Sequence, residues 1–234
     1  MIIETPSVFR SRYFETSAYR TLLHEYFLNG SRWIAAPKPE LKDEIYDDSP
    51  EAECKLRNIE IAFDAATCLR AGRDIFFSIS ETGNELGCRW LQSIIGSEYR
   101  VHACYNLNSR IHVDATISLL RPGLVLLNPD RINEHNIPEP LKQWEVLWTP
   151  HMAEPKYSEM RQLSSRWLGM NLLMLSPDLA AIDCDQTELI KLLEKRQINV
   201  MPVRLRHSRS LLGGVHCVTL DVCRKGKLES YFNI

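Results

Sequence analysis

The sequence predicts an α/β or α+β fold built from repeated strand–strand–helix–strand units. Two observations carry that expectation. Apolar segments with strand character alternate with amphipathic helical ones from about residue 58 onward. Each helical segment also hands over to a strand of one pattern, an aromatic or Ile, a polar residue, then Val: Tyr99-x-Val101, Trp144-x-Val146 and Ile198-x-Val200. Composition agrees, with 44% hydrophobic and 25% charged residues in a chain of 234, as in ordinary domains with a sizeable core.

The elements follow in order. Residues 1–50 are polar, aromatic-rich and irregular, apart from a helical middle. There Tyr19, Leu22, Leu23, Tyr26 and Phe27 share a helical spacing over Thr16 to Phe27, and Asn29-Gly30 ends it. The acidic stretch from Asp43 to Glu53 contains Pro50 and few apolar residues, and reads as an exposed loop. Ile75-Phe76-Phe77 is a strand, followed by a helix from about Thr82 to Ile95 whose Leu86, Trp90, Leu91, Ile94 and Ile95 form one face. A strand at Tyr99 to Ala103 closes this unit. The second has strands at Ala115 to Leu120 and Leu124 to Leu127, a short helix near Pro138 to Gln143, and a strand at Trp144 to Trp148. The third has strands at Asn171 to Leu175 and Ala180 to Asp183, a helix at Thr187 to Arg196, and a strand at Ile198 to Val203. No linker interrupts the series, so residues 1–234 read as one domain.

Several function classes are excluded. Twenty-eight Lys and Arg against 30 Asp and Glu give a net charge of -2, so neither nucleic acid nor an anionic membrane is expected as partner. No apolar run spans a membrane and no signal peptide opens the chain, so a soluble, cytoplasmic protein is expected. The seven cysteines are scattered singly, without a Cys-x-x-Cys pair, and six read as small reduced hydrophobes. His216, Cys217 and Cys223 match no common zinc spacing, so no metal is expected.

The most informative short run is Leu212-Gly213-Gly214-Val215-His216-Cys217. Paired glycines permit close backbone approach, and a Cys following such a turn is reachable by substrate at the start of a strand. A tight turn into a core strand explains the run equally well. On a strand His216 and Cys217 point to opposite faces, so His216 is a poor base for Cys217 and a second His is needed. His112-Val113-Asp114-Ala115-Thr116 offers one, with His112 and Asp114 on one face if the segment is extended; a polar strand end is the plainer alternative. Phe63-Asp64-Ala65-Ala66 puts a carboxylate at the end of an apolar segment, as a site residue or as a cap. Ser164-Ser165 and Asn128-Pro129-Asp130-Arg131 read equally as loop chemistry.

Taken together, these runs resemble the glycine amidinotransferase family. The resemblance rests on Phe63-Asp64-Ala65-Ala66, Arg70-Ala71-Gly72-Arg73-Asp74-Ile75-Phe76, Tyr99-Arg100-Val101-His102 and His112-x-Asp114-Ala115-Thr116. It continues through Pro122-Gly123-Leu124-Val125-Leu126-x-Asn128-Pro129-Asp130-Arg131, Ser164-Ser165-x-Trp167-Leu168-x-Met170-Asn171 and Gly213-Gly214-x-His216-Cys217, in the family's order and spacing. It implies an α+β propeller, pseudo-fivefold, of ββαβ modules around a central active-site channel, and ping-pong transfer of an amidino group from L-arginine to an acceptor amine with release of ornithine. It further implies Cys217 as nucleophile, His112 as general acid-base, Asp64 as the carboxylate that orients His112, Asp114 as guanidinium binder, and Arg131, Ser164 and Ser165 at the amino-acid end of arginine. No cofactor is implied, and a homodimer is compatible with it.

Two departures from the family pattern shape the expectation. Family chains extend upstream of Met1 with an Asp that helps bind the guanidinium, so a partial propeller lacking about the first third is expected. A mitochondrial address would then belong to that upstream segment. The loop Tyr105-Asn106-Leu107-Asn108-Ser109-Arg110-Ile111, with Ser109 and Ile111 on the acceptor side, also differs from that of the glycine-using members. The alternatives are a hydrolase of the same superfold, in which water replaces the amine, and a non-catalytic remnant.

Overall fold

The computed structural model describes residues 1–50, 52, 55–107, 112–154, 164–205 and 207–233. It divides into two compact units, Met1–Val113 and Asp114–Ile234.

The first unit opens with strand β1 (Ile2–Glu4), helix α1 (Arg20–Leu28) and strand β2 (Trp33–Ala35). β1 and β2 pair in parallel, Ile2 opposite Trp33. The predicted irregular start is thus corrected: two three-residue strands, too short to show a period of two, bracket the helix. The helix itself begins later than predicted, because Glu15–Tyr19 is a 3-10 segment. The acidic stretch is likewise not simply an exposed loop. Asp43–Ile45 forms a 3-10 turn that buries Ile45 against Val8, Leu41 and Leu56.

Strands β3 (Cys68–Ala71), β4 (Asp74–Ser78) and β5 (Arg100–Cys104) follow, with helix α2 (Glu85–Ile95) between β4 and β5. β3 runs antiparallel and β5 parallel to the central β4. Gly72, at φ +61°, makes the β3–β4 turn in the left-handed region that favours glycine. Helix α2 starts at Glu85 rather than Thr82, because the Asn84 side chain accepts the Gly87 N–H at 2.9 Å and so fixes the first turn. Its inner face packs Cys88 and Leu91 with Phe63 and Phe77. Asp74, wholly buried, accepts hydrogen bonds from Arg100 (2.9 Å) and meets His102 Nε2 at 2.7 Å. The resemblance run at Tyr99–His102 therefore serves the β4–β5 pairing, in which Asp74 lies opposite Arg100.

The second unit repeats the module twice. β6 (Ile117–Arg121), β7 (Leu124–Leu127) and β8 (Glu145–Trp148) form one sheet, and β9 (Leu173–Ser176), β10 (Leu179–Asp183) and β11 (Asn199–Val203) the other. In both, the central strand pairs antiparallel with its predecessor and parallel with its successor. Helix α3 (Thr187–Glu194) supplies the second crossover, while the first is the 3-10 segment Glu139–Gln143, whose Pro140 removes a helix donor. Every residue of β7 is buried, as expected of a strand covered on both faces. Leu126, Trp167, Met170, Ile182, Leu189 and Leu193 join these elements in one core. Among the described residues the sheets are thus one of two strands and three of three, and no helix is long and apolar enough to cross a membrane.

Candidate active site

Each unit carries a histidine–aspartate pair. In the first, Asp64 precedes the 3-10 turn Ala65–Thr67 and is 7% exposed. Its side chain does not cap that turn. Oδ1 accepts the backbone N–H of Val8 at 3.1 Å, and Oδ2 lies 3.4 Å from His112 Nε2. The carboxylate is thereby held from one side and faces an imidazole on the other. His112 stands just before the 3-10 turn Val113–Ala115, so the extended segment expected there is absent and the face-sharing argument for His112 and Asp114 lapses. Ser109 and Ile111, expected on the acceptor side, lie outside the described residues.

In the second unit Asp114, 8% exposed, gathers several donors. Its Oδ2 lies 3.3 Å from His216 Nδ1 and accepts from the Cys217 thiol at 3.5 Å. His216–Val218 is a 3-10 turn rather than the start of a strand. The expectation that His216 and Cys217 point to opposite faces is therefore corrected: the tight turn brings both side chains to one carboxylate oxygen. Cys217 is exposed to solvent, yet partial desolvation of its sulfur, with the Asp114 charge second, pushes the thiol up to about 11, so it is protonated at neutral pH. The hydrogen bond to Asp114 raises the pKa of His216. Cys68, Cys88 and Cys104 are likewise pushed up, to about 12, 11 and 12, chiefly by burial; what sets Cys217 apart from them is its exposure and its carboxylate partner.

The residues expected at the amino-acid end also lie in the second unit. Arg131 is partly buried and donates to Thr116 Oγ1 at 2.9 Å. Burial lowers its pKa, against the attraction of Asp130 and Asp114. The loop before it is fixed by Asn128, which donates to Ala115 O and accepts the Asp130 N–H. Asp130 in turn accepts from Trp167 Nε1 and Arg166, each at 3.0 Å, which ties down the segment after Ser165. The Ser165 hydroxyl accepts the Trp167 N–H as the cap of the 3-10 segment Arg166–Met170. The Ser164 hydroxyl is buried with no partner among the described residues.

Asn171 closes the Ser164–Asn171 run but carries no chemistry that marks it as a site residue in the sequence. It is 2% exposed; its backbone carbonyl accepts the His216 N–H and its side-chain oxygen the Cys217 N–H. Among the described residues no group of three or more His, Cys, Asp or Glu side chains forms a metal-binding cluster.

The second unit thus sets an exposed cysteine beside a buried carboxylate, and the first carries a histidine–carboxylate pair. No family model matches the chain. Individual proteins do. Over 98% of its length it is 49% identical to inosamine-phosphate amidinotransferase 1 of Streptomyces glaucescens, covering 66% of that protein. It is 40% identical over 99% of its length to the mitochondrial glycine amidinotransferase of Xenopus tropicalis, covering 58%. The solved structure of SxtG, an amidinotransferase from Microseira wollei in the saxitoxin biosynthetic pathway, superposes with a TM-score of 0.92. That match has 39% identity and covers 98% of this chain and 68% of that one. The chain belongs to the amidinotransferase family. It spans 58–66% of the length of these curated relatives. A dimethylarginine dimethylaminohydrolase structure at 14% identity and a TM-score of 0.63 shares the fold alone, over 92% of this chain and 70% of that one.

Proposed function

We propose that this chain carries an amidino-transfer site that moves the amidino group of L-arginine through Cys217 to an acceptor amine. The observation that carries the reading is the Cys217 thiol seated on Asp114 Oδ2, a nucleophile next to a carboxylate suited to a guanidinium.

A guanidinium carbon is a resonance-stabilised, poor electrophile, so a thiolate suits the attack better than a hydroxyl. In the unliganded chain the Asp114 charge opposes thiolate formation. A guanidinium bound to Asp114 neutralises that charge and adds a cation near the sulfur, so substrate binding itself favours the thiolate. His112 takes up the thiol proton, Cys217 Sγ bonds to the guanidinium carbon, and His112 passes that proton to the departing nitrogen of ornithine as the C–N bond breaks. His112 next takes a proton from the incoming amine, which attacks the amidino-cysteine and releases the thiolate. Asp64 orients His112. Arg131, Ser164 and Ser165 hold the carboxylate and amino group of arginine. The repeated three-stranded modules are, in this reading, blades of the pseudo-fivefold propeller, with residues 1–234 acting as one domain.

For the acceptor, the identities favour an inosamine phosphate over glycine, in keeping with the departure at residues 105–111. The test is product analysis with arginine labelled in its guanidino carbon and a panel of inosamine phosphate, glycine and lysine. Label appearing in one amine with equimolar ornithine supports transfer. Label released as urea, or retained in citrulline, with no dependence on an amine would replace transfer by hydrolysis.

A further inference from the structure

Asn171 lies at the junction of the second unit's proposed site. It follows the 3-10 segment Arg166–Met170, between the buried Met170 and Leu172 of the core, and Ser118 Oγ donates to the Met170 carbonyl. It therefore sits on a rigid platform. Its backbone carbonyl accepts the His216 N–H at 3.3 Å, and its side-chain Oδ1 accepts the Cys217 N–H at 3.2 Å. Because the Cys217 N–H can only donate, the oxygen must face it, which fixes the amide orientation. The other end of the amide, Nδ2, is then buried and makes no hydrogen bond among the described residues.

An unpaired buried amide donor carries a desolvation penalty and calls for an explanation. The thiol form of Cys217 gives its own hydrogen to Asp114, so the sulfur needs no donor in that state. A thiolate has no hydrogen to give and takes donors strongly. The Asn171 side chain favours the thiolate, lowering the thiol's pKa against the larger effects of burial and Asp114, while Nδ2 makes no hydrogen bond to the thiol form. Packing is tight on this side: a Cβ at Gly214 would fall 2.3 Å from Asn171 Oδ1, so only glycine lets the loop close onto the amide.

We propose that Asn171 is the positioning residue of the nucleophile turn, holding the Cys217 backbone through Oδ1 and keeping Nδ2 in reserve as a donor to the Cys217 thiolate. The assignment rests on the reading of Cys217 as nucleophile and adds the group that stabilises its reactive form. Neither function needs Asn171 to touch the substrate.

The experiment measures iodoacetamide alkylation of Cys217 as a function of pH on the whole chain, resolved by peptide mass spectrometry and normalised to the exposed Cys223 of the same molecule. Asn171→Asp keeps the acceptor for the Cys217 N–H and exchanges the donor for an oxygen. It is expected to displace the Cys217 profile to higher pH by about one unit, slowing alkylation at about pH 8.5 roughly tenfold with Cys223 unchanged. Asn171→Ala should move the profile in the same direction. Unshifted profiles in folded variants would overturn the proposal. If both variants unfold, Gly214→Ala, which displaces the amide without altering its chemistry, must slow Cys217 as well, and an unchanged rate there overturns it equally. Incubation of the unaltered chain with L-arginine separates the two ideas. Failure of an amidino adduct to form, with the alkylation shift intact, removes the transfer reading and leaves the thiolate-donor role. An adduct with no alkylation shift removes Asn171 alone.

Discussion

The two units present the same pair of residue types at nearly the same separation, His112–Asp64 at 3.4 Å and His216–Asp114 at 3.3 Å, in different surroundings. Asp64 divides its oxygens between a buried backbone N–H and one imidazole, which suits a carboxylate that orients a proton carrier. Asp114 instead offers one oxygen to both His216 and the Cys217 thiol, and its field reaches Arg131. Under the proposed function that oxygen is the seat for the guanidinium. A histidine beside an aspartate is therefore not a general base by virtue of the pair alone; what else the carboxylate holds decides.

The largest expected effect separates the two histidines. His112→Ala should lower amidino transfer by about 10²–10⁴-fold, the usual contribution of a positioned acid-base group, while His216→Ala should stay within about tenfold. Steady-state rates of ornithine release decide this, and equal losses would erase the distinction drawn between the pairs. Next in size, Asp114→Asn should act in two opposite directions. Arginine capture should fall, while the Cys217 thiol, relieved of the carboxylate, should drop from about 11 towards its ordinary 9 and alkylate several-fold faster at about pH 8.5 without substrate. A slower thiol in that variant would contradict the seating of Cys217 on Asp114.

The smallest effect is on stability. The folded-state pKa of His216 lies above its ordinary value of 6.5 because of its bond to Asp114. The charged pair thus stabilises the fold fully below pH 6.5, and that contribution fades as pH rises through the raised folded value. The melting temperature of the unaltered chain should exceed that of His216→Asn by a margin that shrinks from about pH 5 to about pH 9. A margin that grows with pH would reverse the sign of the pairing.

Much of the fold was legible because β4, β7 and β10 and helices α2 and α3 have strong apolar patterns, and their order repeats. What escaped was short. β1 and β2 have three residues each, and β3 hid behind polar Arg70. The site showed the same split. Cys217, His112, Asp64 and Asp114 were candidates by residue type, and only the family resemblance implied roles for them. Their local geometry did not, because the turns Val113–Ala115 and His216–Val218 are three-residue 3-10 segments with no periodicity to read. An extended backbone assumed at His216 separated it from Cys217, whereas the actual turn sets both on Asp114. Asn171 gave no signal because an amide has no titration or nucleophilicity to mark it; its role comes from what it touches after folding.

Whether Cys217 receives the amidino group is read by intact-protein mass spectrometry after incubation with L-arginine, with Cys217→Ala as the control. The expected result is a single amidino adduct on the unaltered chain, ornithine in equal amount, and no adduct on the variant. An adduct that persists in Cys217→Ala, or ornithine released without any adduct or acceptor, would contradict it.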